Sequence, residues 1–351
     1  MAIDPAAFTP GTEFSEGPIT AAPSDAARAD VVGIGPYRLA LRRLRRNRVA
    51  LAFGGLFLLV VVLCLLAPVY SHDIAHIGPN DGRPNGTVTV GGKVEQVLSV
   101  NGVPIGPSWH SRYFLGADND GRDVAVRLLY GGRNSLQVGL VAALITLVLA
   151  AAVGLAAGYF RGITDGLLSR AMDVIWSYPA VLLGVALGTS LALGGLDLGL
   201  FQVSGNSLWV PTVIIGVVYI PYVAKPLRGQ VLGLREREFV DAARAQGMGS
   251  IRILLSEILP NVASTIIVFV PLIIANAILL EAALSYLGAG IQPPNPSWGN
   301  MIADGIHQLP GAIHDTLVPG IMLVLAVLGI NVFGDGVRDA LDPRATVRIE
   351  H

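Results

Sequence analysis

Few side chains in this sequence are placed to do chemistry. Glu281 is the one acid inside a long apolar stretch, where an ionisable group normally faces protein or water and has a partner. It reads first as a structural hydrogen-bond acceptor near the end of that stretch, and second as a lining group of a polar path. Asn276 and Asn331 carry the same two readings, because an interhelical hydrogen bond contributes only about 0.6 kcal/mol on average. His72, Asp73 and His76 are spaced to hold a metal if helical, but they fall in a loop without firm geometry, so no metal site is expected. The single cysteine, Cys64, has no disulfide partner. A phosphate-cradling loop needs Gly, four residues, Gly-Lys and Ser or Thr, because backbone amides and the lysine must surround the phosphates. The only lysines are Lys93 and Lys225. Thr87 and Val94 stand where the first needs Gly and a hydroxyl, and Lys225 follows Ala224. No catalytic residue, cofactor site or nucleotide-hydrolysing site is therefore expected in this chain.

The elements that position these residues are apolar helices. The 351 residues are 52% hydrophobic and 14% charged, against about 25% charged in soluble domains. Net charge is -1, which gives no sign of a nucleic-acid binder. A bilayer core about 30 Å thick takes roughly 20 helical residues. Six runs meet that length: 49–70, 135–159, 174–195, 208–224, 262–287 and 316–334. The chain is thus expected to be an all-α integral membrane protein of about six transmembrane helices. The first run is too long for a signal core and has no small-x-small cleavage site, so it stays as an anchor. Arg38, Arg42, Arg43, Arg45, Arg46 and Arg48 precede it and favour a cytoplasmic start. Alternation then places both termini in the cytoplasm. Residues 38–48 also suit a surface helix, with Leu39, Leu41 and Leu44 toward lipid and the arginines at anionic head groups.

The expected regions follow. Residues 1–35 form a disordered tail, and Gly11-Thr12-Glu13-Phe14 reads as two translated cloning sites, so residues 1–14 are set aside. Residues 36–70 are an amphipathic lead-in and the first span, and 71–134 an outer loop. Within that loop 87–90 and 93–100 flank Gly91-Gly92, and Asn101-Gly102 precedes 103–105, which predicts a small β excursion. Residues 135–334 are a five-helix core with a cytoplasmic loop at 225–261, and 335–351 a cytoplasmic tail. Trp109, His110 and Trp298 read as headgroup-level anchors. Pro179, Pro211, Pro221, Pro271 and Pro319 fall in the spans, where kinks can shape a path.

The cytoplasmic loop between the fourth and fifth runs is the most informative segment. It predicts two short helices with a corner: Gly247 supplies a positive φ, Ser250 caps the second helix, and Pro260 stops it before the fifth span. Ala242 and Ala243 keep one side thin enough for another protein to approach the backbone. This loop resembles the "EAA" loop of binding-protein-dependent ABC importer permeases, with Asp241-Ala242-Ala243, Gly247 and Leu259-Pro260 at the family's spacing. Asp241 replaces Glu, and Glu257 stands where Ile is usual, with Ile258 one place later. Leu115-Gly116-Ala117-Asp118-Asn119-Asp120-Gly121-Arg122-Asp123, Glu281-Ala282-Ala283-Leu284-Ser285-Tyr286-Leu287-Gly288, Ser297-Trp298-Gly299 and Gly334-Asp335-Gly336-Val337-Arg338-Asp339 are similar to segments of the dipeptide, oligopeptide and nickel permeases, C-type subunit. The resemblance runs from about Arg38 to Arg344, and the β-like insert departs from the shorter loop of that group.

The resemblance implies a type I ABC importer permease fold in a bacterial inner membrane. It implies four kinds of partner: a second, B-type permease subunit, two cytoplasmic ATPases that bind ATP and Mg, an extracytoplasmic substrate-binding protein, and membrane lipid. Coupling to the ATPases falls to Glu238, Asp241, Ala242, Ala243, Gly247, Met248, Ser250, Leu259 and Pro260, and Asn276, Glu281 and Asn331 are candidates for the substrate pathway. Di- or oligopeptide is the implied cargo, with nickel or another small solute as the alternative. An ion-gradient-driven transporter needs intramembrane ionisable groups or an internal repeat, and Glu281 alone supplies neither. A membrane enzyme or anchor lacks the clustered His, Cys or acids it needs.

Overall fold

The computed structural model describes residues 36–90, 92–110, 112–194, 196–197 and 202–342. The expected N-terminal tail, 1–35, and the chain beyond 342 lie outside the described residues. Helix α1 (Pro36–Arg46) leads into α2 (Arg48–Leu65), whose first turn is capped by the Asn47 side chain accepting from Ala50 N. A short α3 (Ala67–Val69) and a π turn (Tyr70–Ala75) end the first span. The loop between the first span and α4 then holds β1 (Thr87–Val90) paired antiparallel with β2 (Lys93–Gln96), with Thr87 opposite Gln96. The expected β excursion is there. Its second strand ends at Gln96, and only a bridge between Leu98 and Pro104 continues it.

The remaining helices are α4 (Val124–Phe160), α5 (Gly162–Trp176), α6 (Ala180–Gly194), α7 (Trp209–Val218), α8 (Ile220–Leu234), α9 (Glu238–Ala245), α10 (Ser250–Ile253), α11 (Leu259–Tyr286), α12 (Trp298–Ile306) and α13 (His314–Leu341). A two-residue pair, β3 (Leu196–Asp197) with β4 (Gln202–Val203), lies between α6 and α7. Five helical stretches among the described residues are long and apolar enough to cross a membrane, and α5 with α6 makes a sixth bent by 88°. The sequence expected one run at 174–195, with Pro179 as a site where it can kink. The backbone breaks at 177–179 because Pro179 disfavours helical geometry in the residue before it. Other helix ends also differ from the expected bounds: α4 begins at Val124, eleven residues inside the expected outer loop, α8 runs to Leu234, into the expected 225–261 loop, and α13 runs to Leu341, through the start of the expected tail.

An even number of crossings follows from contacts between the chain ends. Helix α2 lies antiparallel to α13, with Ala50 against Gly336, Gly54 against Phe333 and Phe57 against Gly329. Arg43 Nη1 donates to the Asp342 carbonyl at 3.0 Å. Residues 43 and 342 therefore share one face of the protein, which requires the bent α5–α6 pair to count as a span. Helices α4 and α8 run parallel and pack through Gly154 on Ala224 and Leu227, and Gly158 on Val231. That small-xxx-small pattern lets backbones approach closely where lipid supplies no hydrophobic drive.

The same loop folds back on the helix ends through Asp118 and Asp123. Asp118 accepts from Asp120 N, Arg122 N and Arg122 Nε, and Arg127 Nε lies 3.3 Å from it. Asp123 is fully buried and accepts from Tyr113 N, Ala125 N and Val126 N, which caps α4. Burial raises its carboxyl pKa, and those three donors pull it back down. Burial likewise holds Asp304 above its ordinary value, with Arg122 and Arg127 opposing. Asp123→Ala is expected to destabilise the chain by about 2–3 kcal/mol, since it removes a helix cap and strands buried N–H groups. Denaturant titration of the purified protein checks this, with Asp123→Asn losing less.

Candidate coupling site and interior polar residues

The cytoplasmic-loop candidates fold into one short helix and one sharp turn. Helix α8 ends at Leu234, and Arg235 Nη1 then donates to the Tyr159 carbonyl at 2.5 Å while Glu236 pairs with Arg161 at 2.8 Å. These contacts bolt the loop to the α4–α5 turn. The guanidinium groups of Arg235 and Arg244 both lie 5.9 Å from the Tyr159 ring centroid. Spacing did not flag this cluster, because its members come from α4, α9 and the turns beside them, far apart in sequence.

Helix α9 buries Val240 and Ala243 and exposes Glu238, Asp241 and Ala242. Only one of the two alanines is thus on the open side: Ala242 faces out, and Ala243 packs inward. Asp241 and Arg244 pair across one turn at 2.9 Å. The helix ends as its glycine predicts. Gly247 has φ +80°, its N–H donates to the Arg244 carbonyl, and Met248 N–H reaches the Ala243 carbonyl at 3.1 Å. This double closure needs a left-handed residue, which glycine adopts without a Cβ clash.

The second short helix is a correction. From Ser250 to Tyr286 the chain is one 37-residue helix that enters the membrane without a stop. Pro260 sits in the first turn of α11, just after a π turn (Leu254–Ile258) that already interrupts the regular ladder, so its missing N–H breaks nothing further. Ser250 is not the cap. Gly249 holds that position, with no side-chain hydrogen bond. The π turn also resolves the displaced isoleucine. Ile253 and Ile258 are both fully buried and lie five residues apart, a π rather than an α interval, which leaves Glu257 partly exposed. The inserted residue restores the inward register that position 257 would otherwise hold.

Glu281 is fully buried where α11 meets the segment before α12. Ser285 Oγ donates to Glu281 Oε1 at 2.6 Å and accepts from Ile291 N at 2.9 Å. Trp298 N donates to Ser135 Oγ, and Ser297 with Asn300 forms a reciprocal cap on α12. Glu281 thus accepts one hydrogen bond inside this chain, as the structural reading of it expects, while its Oε2 has no hydrogen-bond partner among the described residues. Asn276 is half-buried, and its carbonyl accepts from the Tyr219 hydroxyl at 3.3 Å. Asn331 lines a cavity of about 70 Å³ with Val268, Pro271 and Arg338. Next to it a groove of about 500 Å³ opens between α8, α11 and α13, lined by Gln230, Thr265, Phe269, Leu272 and Arg338.

Two of the three expected interface anchors are exposed, namely Trp109 and His110. Trp298 is not: it is wholly buried, its ring NH donates to the Leu128 carbonyl at 3.1 Å, and it packs on Gly132 beside Cys64. In and just after the π turn that ends the first span, His72 Nδ1 meets Asp73 Oδ1 at 2.6 Å, and His76 Nδ1 meets the His72 carbonyl at 2.7 Å. Each imidazole nitrogen engaged this way serves a local contact.

Long apolar helices, one of them broken beside Pro179, with an exposed helix α9 and its left-handed turn, define a multi-pass membrane protein. The comparisons give the family. Residues 150–347 match the family described as binding-protein-dependent transport system inner membrane component, and residues 35–83 match the N-terminal TM domain of oligopeptide transport permease C. The chain belongs to this family of ABC transporter membrane components. A putative peptide transport system permease protein of Brucella suis is 38% identical over 330 residues, covering 93% of this chain and 98% of its own. The dipeptide transport system permease protein DppC of Alkalihalophilus pseudofirmus is 34% identical over 337 residues, covering 95% and 98%. The di/tripeptide transport system permease protein DppC of Pseudomonas aeruginosa is 33% identical, covering 84% and 88%. A chain of the MetNI methionine ABC transporter in an inward-facing form has 18% identity and a TM-score of 0.48, covering 61% of this chain and 96% of that one.

Proposed function

We propose that this chain is one of two permease subunits of an ATP-driven importer of di- or oligopeptides, and that α9 with the Gly247 turn is where partner ATPases grip it. The observation that carries the reading is the α9 turn itself. Its exposed side presents Asp241 and Ala242, while its buried side and Arg235 fasten it to the α4–α5 turn. Arg235 ties the loop to α4, α9 follows α8 after a three-residue turn, and the Gly247 turn leads into the Ser250–Tyr286 helix, so force applied there is passed to these helices. The arginines before α2 support a cytoplasmic position for that face, for both chain ends and for the ATPases with their ATP and Mg. An extracytoplasmic binding protein delivers cargo at the opposite face, and the second permease subunit completes the path. Peptide as cargo is supported by the names its relatives carry.

The test is uptake by the whole complex. Proteoliposomes holding this chain with its second permease, two ATPases and binding protein are expected to accumulate tritiated trialanine only when ATP is on the ATPase side. Accumulation by this chain alone under an ion gradient would overturn the reading in favour of a secondary transporter.

A further inference from the structure

The groove between α8, α11 and α13 has an apolar wall and an acidic edge, and the described chain ends on it. Val268, Phe269 and Leu272 of α11 form the wall, and Leu341 and Asp342 close the groove at the end of α13. The adjoining cavity carries it past Arg338 and Asp335 to Asn331. Asp335, Asp339 and Asp342 stand four and three residues apart, so they share one face of α13. Among the described residues no cation pairs with Asp335 or Asp339; Arg338 lines the groove beside them, and Arg43 donates to the Asp342 carbonyl. Asp339 also sits in the last turn, where the helix dipole opposes a negative charge and favours a cation.

The sequence supplies cations at this point. Asp342 is extended, with φ -72° and ψ 118°, because the proline after it disfavours helical geometry. Residues 343–349, outside the described residues, read Pro-Arg-Ala-Thr-Val-Arg-Ile. In an extended segment Ala345, Val347 and Ile349 fall on one side, and Arg344 and Arg348 on the other. That pattern matches an apolar wall beside an acidic edge. Seven extended residues span about 23 Å. The α13 segment from Asp342 back to Asn331 is shorter, about 16 Å.

We propose that residues 343–349 lie back in this groove as a releasable clasp, with Val347 and Ile349 on Phe269 and Leu272, and Arg344 and Arg348 on Asp335 and Asp339. The clasp joins helices driven by the coupling loop to one that the loop does not grip. The loop passes force to α8 and to the Ser250–Tyr286 helix, whereas α13 is tied to α1 and α2. A closed clasp therefore resists the shift of α8 and α11 against α13 and slows transport. The brake rests on the importer reading above; the docking does not.

The test places cysteines at Leu272→Cys and Ile349→Cys in the full complex in membranes. Leu272 is 37% exposed, and native Cys64 is fully buried. A short bifunctional thiol reagent is expected to join the two positions within one chain, read by mass spectrometry of the linked peptides. Adding Arg344→Asp and Arg348→Asp should cut that yield about tenfold, the effect of losing two exposed ion pairs. Adding Asp335→Lys and Asp339→Lys to that variant should restore it. Thiols that both react with maleimide yet never join each other, or that join only the second permease or an ATPase, would overturn the clasp. The arginine variant without the cysteines is expected to take up tritiated trialanine faster, by up to about tenfold, because the clasp is closed a tenth as often. Unchanged or slower uptake would overturn the brake. Absence of uptake by the unsubstituted complex would overturn the importer reading and the brake with it, while the linking yield still decides the docking.

Discussion

Ala242→Arg is expected to cut ATP-driven uptake by the assembled transporter about 100-fold, the effect of losing roughly 3 kcal/mol at the centre of a buried interface. The chain should still insert, because Ala242 lies on the exposed side of α9 and touches nothing that holds the fold. Ala243→Arg differs in kind: that alanine is 5% exposed and packs inward, so the variant is expected to lose stability as well as transport. Gly247→Pro should match Ala242→Arg, since proline fixes φ near -65° where the turn requires +80°. Gly247→Ala keeps the chain continuous and costs about 1–2 kcal/mol for a Cβ in the left-handed region. Uptake measured beside ATPase activity separates these cases, and normal coupled uptake by Ala242→Arg would remove the coupling role.

Trp298→Ala carries the largest expected effect on stability, about 3–5 kcal/mol, because a fully buried indole leaves a cavity. It also leaves the Leu128 carbonyl without its donor. Trp298→Phe fills most of the space and loses the hydrogen bond alone, about 1 kcal/mol. Thermal unfolding in detergent reads the two losses. Equal and negligible shifts would return Trp298 to the headgroup anchor that its sequence position suggests.

That residue shows where sequence reasoning stops. Tryptophan near a span end is amphipathic, and nothing local says whether water or protein meets it. Here the segment before α12 turns inward, and Ser135 Oγ and the Leu128 carbonyl receive Trp298. Glu281 was legible as a buried acceptor because a lone acid in an apolar run needs a partner. The spans themselves were legible because hydrocarbon demands long apolar helices, and the hairpin because Gly91-Gly92 separates two strand-forming runs.

What was missed depends on pairing across the fold. Pro179 was legible as a kink site, but not the 88° size of the bend or the helix α5 before it, and Pro260 leaves a helix running that a proline rule would end. The π turn explains the second failure together with the displaced Ile258, since one inserted residue shifts which side chain faces inward. Within the loop, Gly247 was read correctly as a left-handed turn, whereas the opposite facing of Ala242 and Ala243 follows only from where Tyr159 and Arg235 anchor α9. An ion pair between Asp173 and Lys225 escaped because its members lie in different helices.

The role of α9 can be tested with one cysteine. Native Cys64 is fully buried, so Ala242→Cys offers a single reactive thiol on the exposed side of the helix. In membranes from cells expressing the whole transporter, a short bifunctional thiol reagent is expected to join this position to an ATPase subunit carrying cysteines in its membrane-facing groove, with a yield that changes when ATP is added. Labelling of the same cysteine by a membrane-impermeant reagent from outside the cell, with no ATPase adduct, would contradict the account.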